Sequence, residues 1–121
     1  MIMSPLSKTW ILDLDGTIVK HNGYKIDGED SLLPGIENFL ANIAQDDMVV
    51  FLTSRKKEYA EMTEAFLEKN HIRYDHIIYD APYGERIIVN DRKPSGLAMS
   101  VAMNTNRDEP CDVVVTRDES L

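Results

Sequence analysis

Apolar residues along this chain fall into short uninterrupted runs that alternate with stretches of helical spacing. Such runs are typical of strands that are buried on both faces of a parallel sheet. They predict strands at residues 9–14, 48–52, 74–79 and 87–90. Two intervening segments, 35–44 and 56–70, repeat apolar residues at the spacing of one helical face. Strands that alternate with helices predict a parallel α/β sheet with right-handed crossovers.

The remaining segments carry weaker patterns. Residues 20–34 are polar and rich in Gly and Asp, which predicts a loop or a small hairpin. Residues 98–103 and 112–116 are short and rich in β-forming residues, so we expect the sheet to end in an added ribbon. A chain of 121 residues is expected to form one domain with one core, over residues 1–121.

Two carboxylates come directly after the apolar run at residues 10–12, at the end of the first predicted strand. Asp13 and Asp15 are two residues apart, so the period of a strand places both side chains on one side. Two like charges about 4 Å apart repel by roughly 4 kcal/mol at an effective dielectric of about 20. A hard divalent cation bound through oxygen, or a proton held on one carboxylate, would compensate this repulsion. We therefore interpret the pair as a chemical site, and a polar turn after a strand is the alternative.

Three of the predicted strands end in polar residues that form a consistent set. The string Trp-Ile-Leu-Asp-Leu-Asp-Gly-Thr spans residues 10–17, Phe-Leu-Thr-Ser-Arg spans 51–55, and Ile-Ile-Val-Asn-Asp spans 87–91. In this order they resemble the first, second and fourth motifs of the haloacid dehalogenase superfamily of phosphotransferases. The resemblance implies a Rossmann-like three-layer sandwich with a mostly parallel central sheet. It also implies that the ends of these three strands meet at one edge of the sheet.

The same resemblance implies roles for individual residues. Asp13 would attack phosphorus and form an aspartyl-phosphate intermediate, and Asp15 would act as general acid and base. A Mg²⁺ ion would be held by Asp13, the backbone carbonyl of Asp15, and Asp91, an oxygen-only set that suits a hard cation. The expected activity is a Mg²⁺-dependent phosphomonoester hydrolase.

The second motif supplies candidate phosphate ligands. The resemblance implies that Thr53 hydrogen-bonds the transferring phosphoryl group, helped by the backbone amide of Ser54. Arg55 lies two residues beyond Thr53, where its guanidinium could clamp a substrate phosphate or carboxylate bidentately. A solvated surface arginine is the alternative for Arg55.

One departure from the superfamily concerns a positive charge. The superfamily normally carries a Lys, its third motif, before the fourth-motif strand, and residues 70–87 contain no Lys. A cation is needed near three carboxylates and a phosphate. We expect Lys93 to supply it as a catalytic residue, with Arg86 as the second candidate and a substrate-binding residue. Solvated loop charges are the alternative for both.

Composition narrows the classes of partner. Thirteen basic against 21 acidic residues give a formal net charge of −8, which disfavours a broad nucleic-acid-binding face. No apolar stretch approaches the roughly 20 residues of a membrane span, so no membrane partner is expected. The single Cys111 excludes an internal disulfide, and the first residues lack a secretory signal. A cytoplasmic location is the expectation.

Cap insertions largely set specificity in the superfamily, and the interval between Thr17 and Gly35 is too short for a cap domain. An uncapped site admits bulky substrates or is covered by a partner subunit, which would make the protein a homo-oligomer. The Thr-Ser-Arg string at 53–55 and the Asn-Asp-x-Lys-Pro string at 90–94 resemble those of small, uncapped phosphatases in sugar and surface-polysaccharide biosynthesis. The expected substrate is therefore a small-molecule phosphate ester such as a sugar phosphate. Two alternatives stay open: a nucleic-acid 3′-phosphatase, and a non-catalytic phosphate-binding or phospho-acceptor module.

Overall fold

The computed structural model describes residues 1–121 and contains both parallel strands and short helices. The strands are β1 (Ile2–Met3), β2 (Thr9–Leu12), β3 (Met48–Leu52), β4 (His76–Ile78) and β5 (Thr116–Arg117). The helices are α1 (Gly23–Ile26), α2 (Ile36–Ala41) and α3 (Ala60–Lys69), and a 3₁₀ turn (Lys57–Tyr59) leads directly into α3. Strands and helices alternate from β2 to β4, so the predicted α/β class is confirmed.

Three parallel strands form the sheet that carries the site. β3 lies in the middle, with β2 on one side and β4 on the other. The register pairs Trp10 of β2 with Val49 of β3, and Phe51 of β3 with Ile77 of β4. Because parallel neighbours need a crossover connection, the chain returns through α2 between β2 and β3, and through α3 between β3 and β4. The structure confirms three predicted strands, the outer two in shortened form: 9–14, 48–52 and 74–79.

The hydrophobic core joins the middle strand to the two longer helices. Phe51 of β3 is fully buried, and Ile36 of α2 and Leu67 of α3 are buried in the same cluster. Leu14 and Ile18, which follow β2, belong to this cluster as well. The loop that carries the two motif carboxylates is therefore anchored by buried side chains and is held in a fixed place.

Residues 20–34, here called the polar loop, contain a single helical turn. The predicted loop or hairpin is thus a loop with α1 inside it, and an isolated antiparallel bridge joins Val19 to Leu32. Four of its residues are buried in spite of the polar composition: Gly23, Leu33, Tyr24 at 8% exposure and Asp30 at 7%. The polar loop is consequently packed onto the rest of the protein.

One predicted strand is absent. Residues 87–90 form no strand, and Ile87 and Val89 are 84% and 93% exposed. The edge of β2 that faces away from β3 pairs with no other strand of its sheet. The prediction was wrong because an apolar run specifies a strand only through its cross-strand neighbours, and this run has none.

The C-terminal part also differs from expectation. Residues 98–103 form no strand, and the strand expected at 112–116 is β5, which begins only at Thr116. β5 pairs in parallel with β1 as a separate two-stranded sheet, so no ribbon is added to the main sheet. One of these short runs pairs with β1 instead of the main sheet, and the other pairs with no strand. Each run is too short to specify its register against the main sheet.

Residues 105–111, here called the C-terminal crossing, pass over the loop after β2. The backbone N–H of Asp108 donates to the carbonyl of Gly16 at 2.9 Å, and that of Cys111 donates to the carbonyl of Pro34 at 3.0 Å. Side chains of this late segment thereby reach the first motif.

The short connections leave no cap domain on this α/β core, as predicted. None of the helices combines the length and the apolar character that crossing a membrane requires.

Candidate functional site

The carboxyl ends of β2 and β3 lie at the same edge of the sheet, which is where open α/β sheets bind ligands. Asp13 directly follows β2, and Thr53 directly follows β3. A pocket of about 230 Å³ opens beside the two motif carboxylates. Its walls are formed by Asp13, Asp15, Gly16, Thr17, Thr105 and Arg107. A larger depression of about 500 Å³ lies over α3 and includes none of the predicted site residues.

A tight turn after β2 presents the carboxylates. The carbonyl of Leu14 accepts the backbone N–H groups of residues 17–19 at distances from 2.9 to 3.1 Å. Gly16 has a φ of +85°, a conformation that L side chains rarely adopt. A Cβ at this position would also lie 3.0 Å from Cγ of Arg107. Glycine is therefore required here both by the turn and by the C-terminal crossing.

Each motif carboxylate has its own arginine. Oδ1 of Asp13 lies 3.5 Å from Nη1 of Arg86, and its Oδ2 accepts from the hydroxyl of Thr17 at 3.2 Å. Oδ1 of Asp15 accepts from Nη2 of Arg55 at 2.8 Å. Two guanidinium groups therefore compensate part of the repulsion, beside the metal ion or proton that we expected from the sequence.

The two ion pairs differ in burial. The side chains of Arg55 and Asp15 are 0% and 16% exposed, and those of Arg86 and Asp13 are 36% and 34% exposed. Burial alone would lower the pKa of Arg55, but its hydrogen bonds to Asp30 and Asp15 and their charges raise that pKa above its ordinary value. Asp15 is thus held by a buried permanent charge, whereas Asp13 has a longer, solvated ion pair and is the freer of the two.

The second-motif residues lie beside these pairs. Thr53 is buried, and its hydroxyl oxygen accepts the backbone N–H of Arg55 at 3.0 Å, which leaves its hydroxyl hydrogen without an acceptor in the chain. The hydroxyl of Ser54 donates to a backbone carbonyl at 3.2 Å and accepts from Nη2 of Arg86 at 3.4 Å. Ser54 and Arg86 therefore stand together with Asp13, while the Arg55 side chain turns inward.

The structure does not bring Asp91 or Lys93 to the pocket. Asp91 is exposed, and its carboxylate accepts only from the side-chain amide of Asn90, at 3.4 Å. Lys93 is exposed and forms no ion pair. No three His, Cys, Asp or Glu side chains lie close enough together to hold a metal ion. The predicted three-carboxylate set and the predicted lysine are not assembled, because the segment that precedes them forms no strand.

Oxygen donors suited to a hard cation are nevertheless present at the pocket. Its walls offer the carboxylates of Asp13 and Asp15 and the hydroxyl of Thr17, with no thiol or imidazole. Mg²⁺ commonly binds through one or two carboxylates, together with waters and the phosphate of the substrate. The Asp13 carboxylate is therefore a ligand of the kind that suits Mg²⁺, and such a site does not require a third carboxylate.

Sequence reasoning missed several residues at this site. Arg107 and Thr105 line the pocket, and Arg107 forms no ion pair with any carboxylate. Asp30 of the polar loop is buried against Arg55. No local pattern marks these three positions, since each reaches the site only through tertiary contacts. The buried Asp30 in particular looks like an ordinary solvated loop residue in the sequence.

A family model described as NLI interacting factor-like phosphatase matches residues 8–89. The match contains the first and second motifs and ends before Asp91. It covers more than half of the chain, and so it shows family membership. No curated protein and no solved structure matches this chain.

Proposed function

Because the chain belongs to the NLI interacting factor-like phosphatases, a family of phosphoric monoester hydrolases in the haloacid dehalogenase superfamily, we propose that it hydrolyses a small phosphate monoester through an aspartyl-phosphate on Asp13. The single observation that carries the proposal is the pocket of about 230 Å³ with both motif carboxylates in its wall. A sugar phosphate of polysaccharide biosynthesis is the substrate class that we favour.

The two chemical steps use the two carboxylates differently. A carboxylate oxygen of Asp13 attacks phosphorus, the ester P–O bond breaks, and Asp15 gives a proton to the leaving alkoxide oxygen. Water then attacks the phosphorus of the aspartyl-phosphate, Asp15 takes the proton from that water, and inorganic phosphate leaves as the Asp13 carboxylate is restored. The greater exposure of Asp13 supports its role as nucleophile, because it can reach the substrate.

Mg²⁺ is the cation that we propose for this site, held by Asp13 and the backbone carbonyl of Asp15. When bound, it would neutralise the negative charge of the phosphate and stabilise the charge that develops during transfer. The chain's own residues provide the rest. The free hydroxyl hydrogen of Thr53 is suited to a phosphoryl oxygen, and Arg107 is an unpaired cation at the pocket wall.

The sequence and the geometry of the site indicate different residues as the cation that replaces the missing lysine. We expected Lys93 from the sequence, with Arg86 second. The distance of 3.5 Å between Nη1 of Arg86 and Oδ1 of Asp13 favours Arg86 instead. Arg107, which lines the pocket, adds a second positive charge there. Both cations are exposed enough to turn toward an incoming phosphate.

Phosphate release tests the proposal. The purified protein is incubated with Mg²⁺ and a panel of sugar phosphates, other metabolite phosphates and a 3′-phosphorylated oligonucleotide. We expect release from sugar phosphates that stops in excess chelator and is absent in Asp13→Asn. Undiminished release in chelator would refute the metal dependence, and preferential release from the oligonucleotide would favour the nucleic-acid 3′-phosphatase.

A further inference from the structure

All the N–H groups of the Arg55 side chain donate hydrogen bonds to other side chains of this protein. A guanidinium carries five N–H groups. Two reach Asp15, from Nε to Oδ2 at 3.3 Å and from Nη2 to Oδ1 at 2.8 Å. Two reach Asp30, from Nη1 to Oδ2 at 2.8 Å and from Nη2 to Oδ1 at 2.9 Å, and the fifth reaches Oγ1 of Thr63 at 2.9 Å. A substrate in the pocket therefore finds no free donor on Arg55, in contrast to the clamp expected from the sequence.

The surroundings of the guanidinium are closed on its other sides. Its central carbon lies 4.0 Å from the centroid of the Tyr24 ring, a cation–π contact. Tyr24 packs edge-on against Tyr59, with the ring centroids 4.9 Å apart. The hydroxyl of Thr63 donates in turn to the carbonyl of Tyr59 at 2.7 Å. Arg55 is thereby wedged between the polar loop and the start of α3.

The charges around Arg55 are arranged asymmetrically. The Asp30 side chain is 2% exposed and has Arg55 as its sole hydrogen-bond and ion-pair partner. The Asp15 side chain is 16% exposed and lines the pocket. A buried ion pair is a poor source of stability compared with an apolar core of the same volume, because its charges must be desolvated. The arrangement instead fixes geometry, since a planar fork binds a carboxylate in one orientation.

We propose that Arg55 is a positioning residue that fixes the carboxylate of Asp15 at the pocket, and that Asp30 fixes Arg55. The inference rests on the proposed function, in which Asp15 is the acid and base. Both oxygens of Asp15 accept from the fork, so the plane of this carboxylate is set, and the remaining lone pairs are left for the reacting proton. The polar loop thus controls the acid and base through Asp30 without contacting the substrate.

Leaving groups separate this role from a merely structural one. Glycerol phosphate needs a proton from the acid when its ester bond breaks, whereas p-nitrophenyl phosphate releases a stable phenolate and needs that proton far less. Since kcat/KM reports the first chemical step, the ratio of kcat/KM for the two substrates measures how well the acid is placed. A variant that merely lowers the folded fraction reduces both values equally and leaves the ratio unchanged.

Arg55→Lys keeps the charge and loses the fork. We expect its kcat/KM on glycerol phosphate to fall about tenfold more than on p-nitrophenyl phosphate, a part of the roughly 10²–10⁴-fold that a general acid contributes. For Asp15→Asn we expect the ratio of kcat/KM for glycerol phosphate to that for p-nitrophenyl phosphate to fall further, in the same direction. A folded Arg55→Lys protein with an unchanged ratio would overturn the proposal.

Asp30→Asn carries the test if Arg55→Lys fails to fold, because the amide keeps one oxygen acceptor for Arg55. We expect the ratio to fall about threefold in this variant, in the same direction, since one of two fork anchors is weakened. Asp27→Asn, on the exposed face of the polar loop, is the matched control and should leave the ratio at the wild-type value. An unchanged ratio in Asp30→Asn would refute the positioning role. Failure of the proposed function is distinguishable, because the wild type would then hydrolyse neither substrate.

Discussion

Asp13 and Asp15 are chemically identical side chains with different environments, and the difference suits different tasks. Asp13 is one third exposed and contacts a solvated arginine at 3.5 Å. Asp15 is mostly buried and held by two bonds from Arg55. A nucleophile must be free to approach phosphorus, whereas an acid and base must keep a fixed direction toward the leaving oxygen. This difference in environment supports the roles that we propose for the two carboxylates.

The first prediction concerns the balancing cation. Arg86→Ala removes the guanidinium beside Asp13 and should lower kcat by about 10²-fold, the lower end of the range for one preorganised stabilising group, because Arg86 is partly solvated. Lys93→Ala should change kcat little, since Lys93 contacts no carboxylate. Steady-state kinetics of both variants on one shared substrate measure this. An inactive Lys93→Ala beside a nearly normal Arg86→Ala would reinstate the lysine expected from the sequence.

How far the site could be predicted from the sequence depends on the range of its contacts. Asp13, Asp15 and Thr53 could be placed at one edge because they lie in the segments that follow two parallel strands, and parallel strands end together. The pairing of Asp15 with Arg55 and Asp30 could not be predicted, because it depends on how the polar loop packs against α3. Arg107 was missed because it comes from the other end of the chain.

At the scale of elements, local pattern predicted strands well where a partner strand exists. The bounds of β3 agree with its apolar run, which is flanked by Asp47 and Thr53 and has neighbours on both sides. The run predicted as a strand at 87–90, apolar except for Asn90, has no neighbouring strand and forms no strand itself. The helical periodicity of 56–70 was likewise correct, although its first turn is 3₁₀.

The second prediction follows from this contrast. Val49→Thr places a hydroxyl in the core, where Val49 is 2% exposed, and should lower the free energy of unfolding by about 1–3 kcal/mol. Val89→Thr makes the same chemical change at a residue that is 93% exposed. It should alter the free energy of unfolding by no more than about 0.5 kcal/mol. Urea unfolding of both variants gives the comparison. Equal losses would mean that residues 87–90 are buried in a strand after all.

At the scale of the whole molecule, charge bears on the kind of substrate. The formal net charge of −8 leaves individual arginines at the pocket, but it repels a long polyanion. A small phosphate ester needs only the local cations, such as Arg86 and Arg107. The absence of a cap domain leaves the pocket open to substrates with bulky groups beyond the phosphate.

The third prediction uses salt to separate the two substrate classes. For a sugar phosphate, kcat/KM should change little between low and physiological ionic strength, because few charges take part. For a 3′-phosphorylated oligonucleotide, kcat/KM should stay low and should not fall as salt rises. A true nucleic-acid phosphatase would release counterions on binding, and its kcat/KM would drop steeply with salt. Such a drop, with a high value at low salt, would contradict a small-metabolite substrate.

The most direct test of the proposed chemistry is mass spectrometry of the enzyme quenched in acid during turnover. We expect one phosphoryl group on the peptide that carries Asp13, absent in Asp13→Asn and still detectable in Asp15→Asn, in which the nucleophile survives and the acid and base is lost. Turnover without any such adduct, or an adduct on another side chain, would contradict the assignment of Asp13 as the nucleophile.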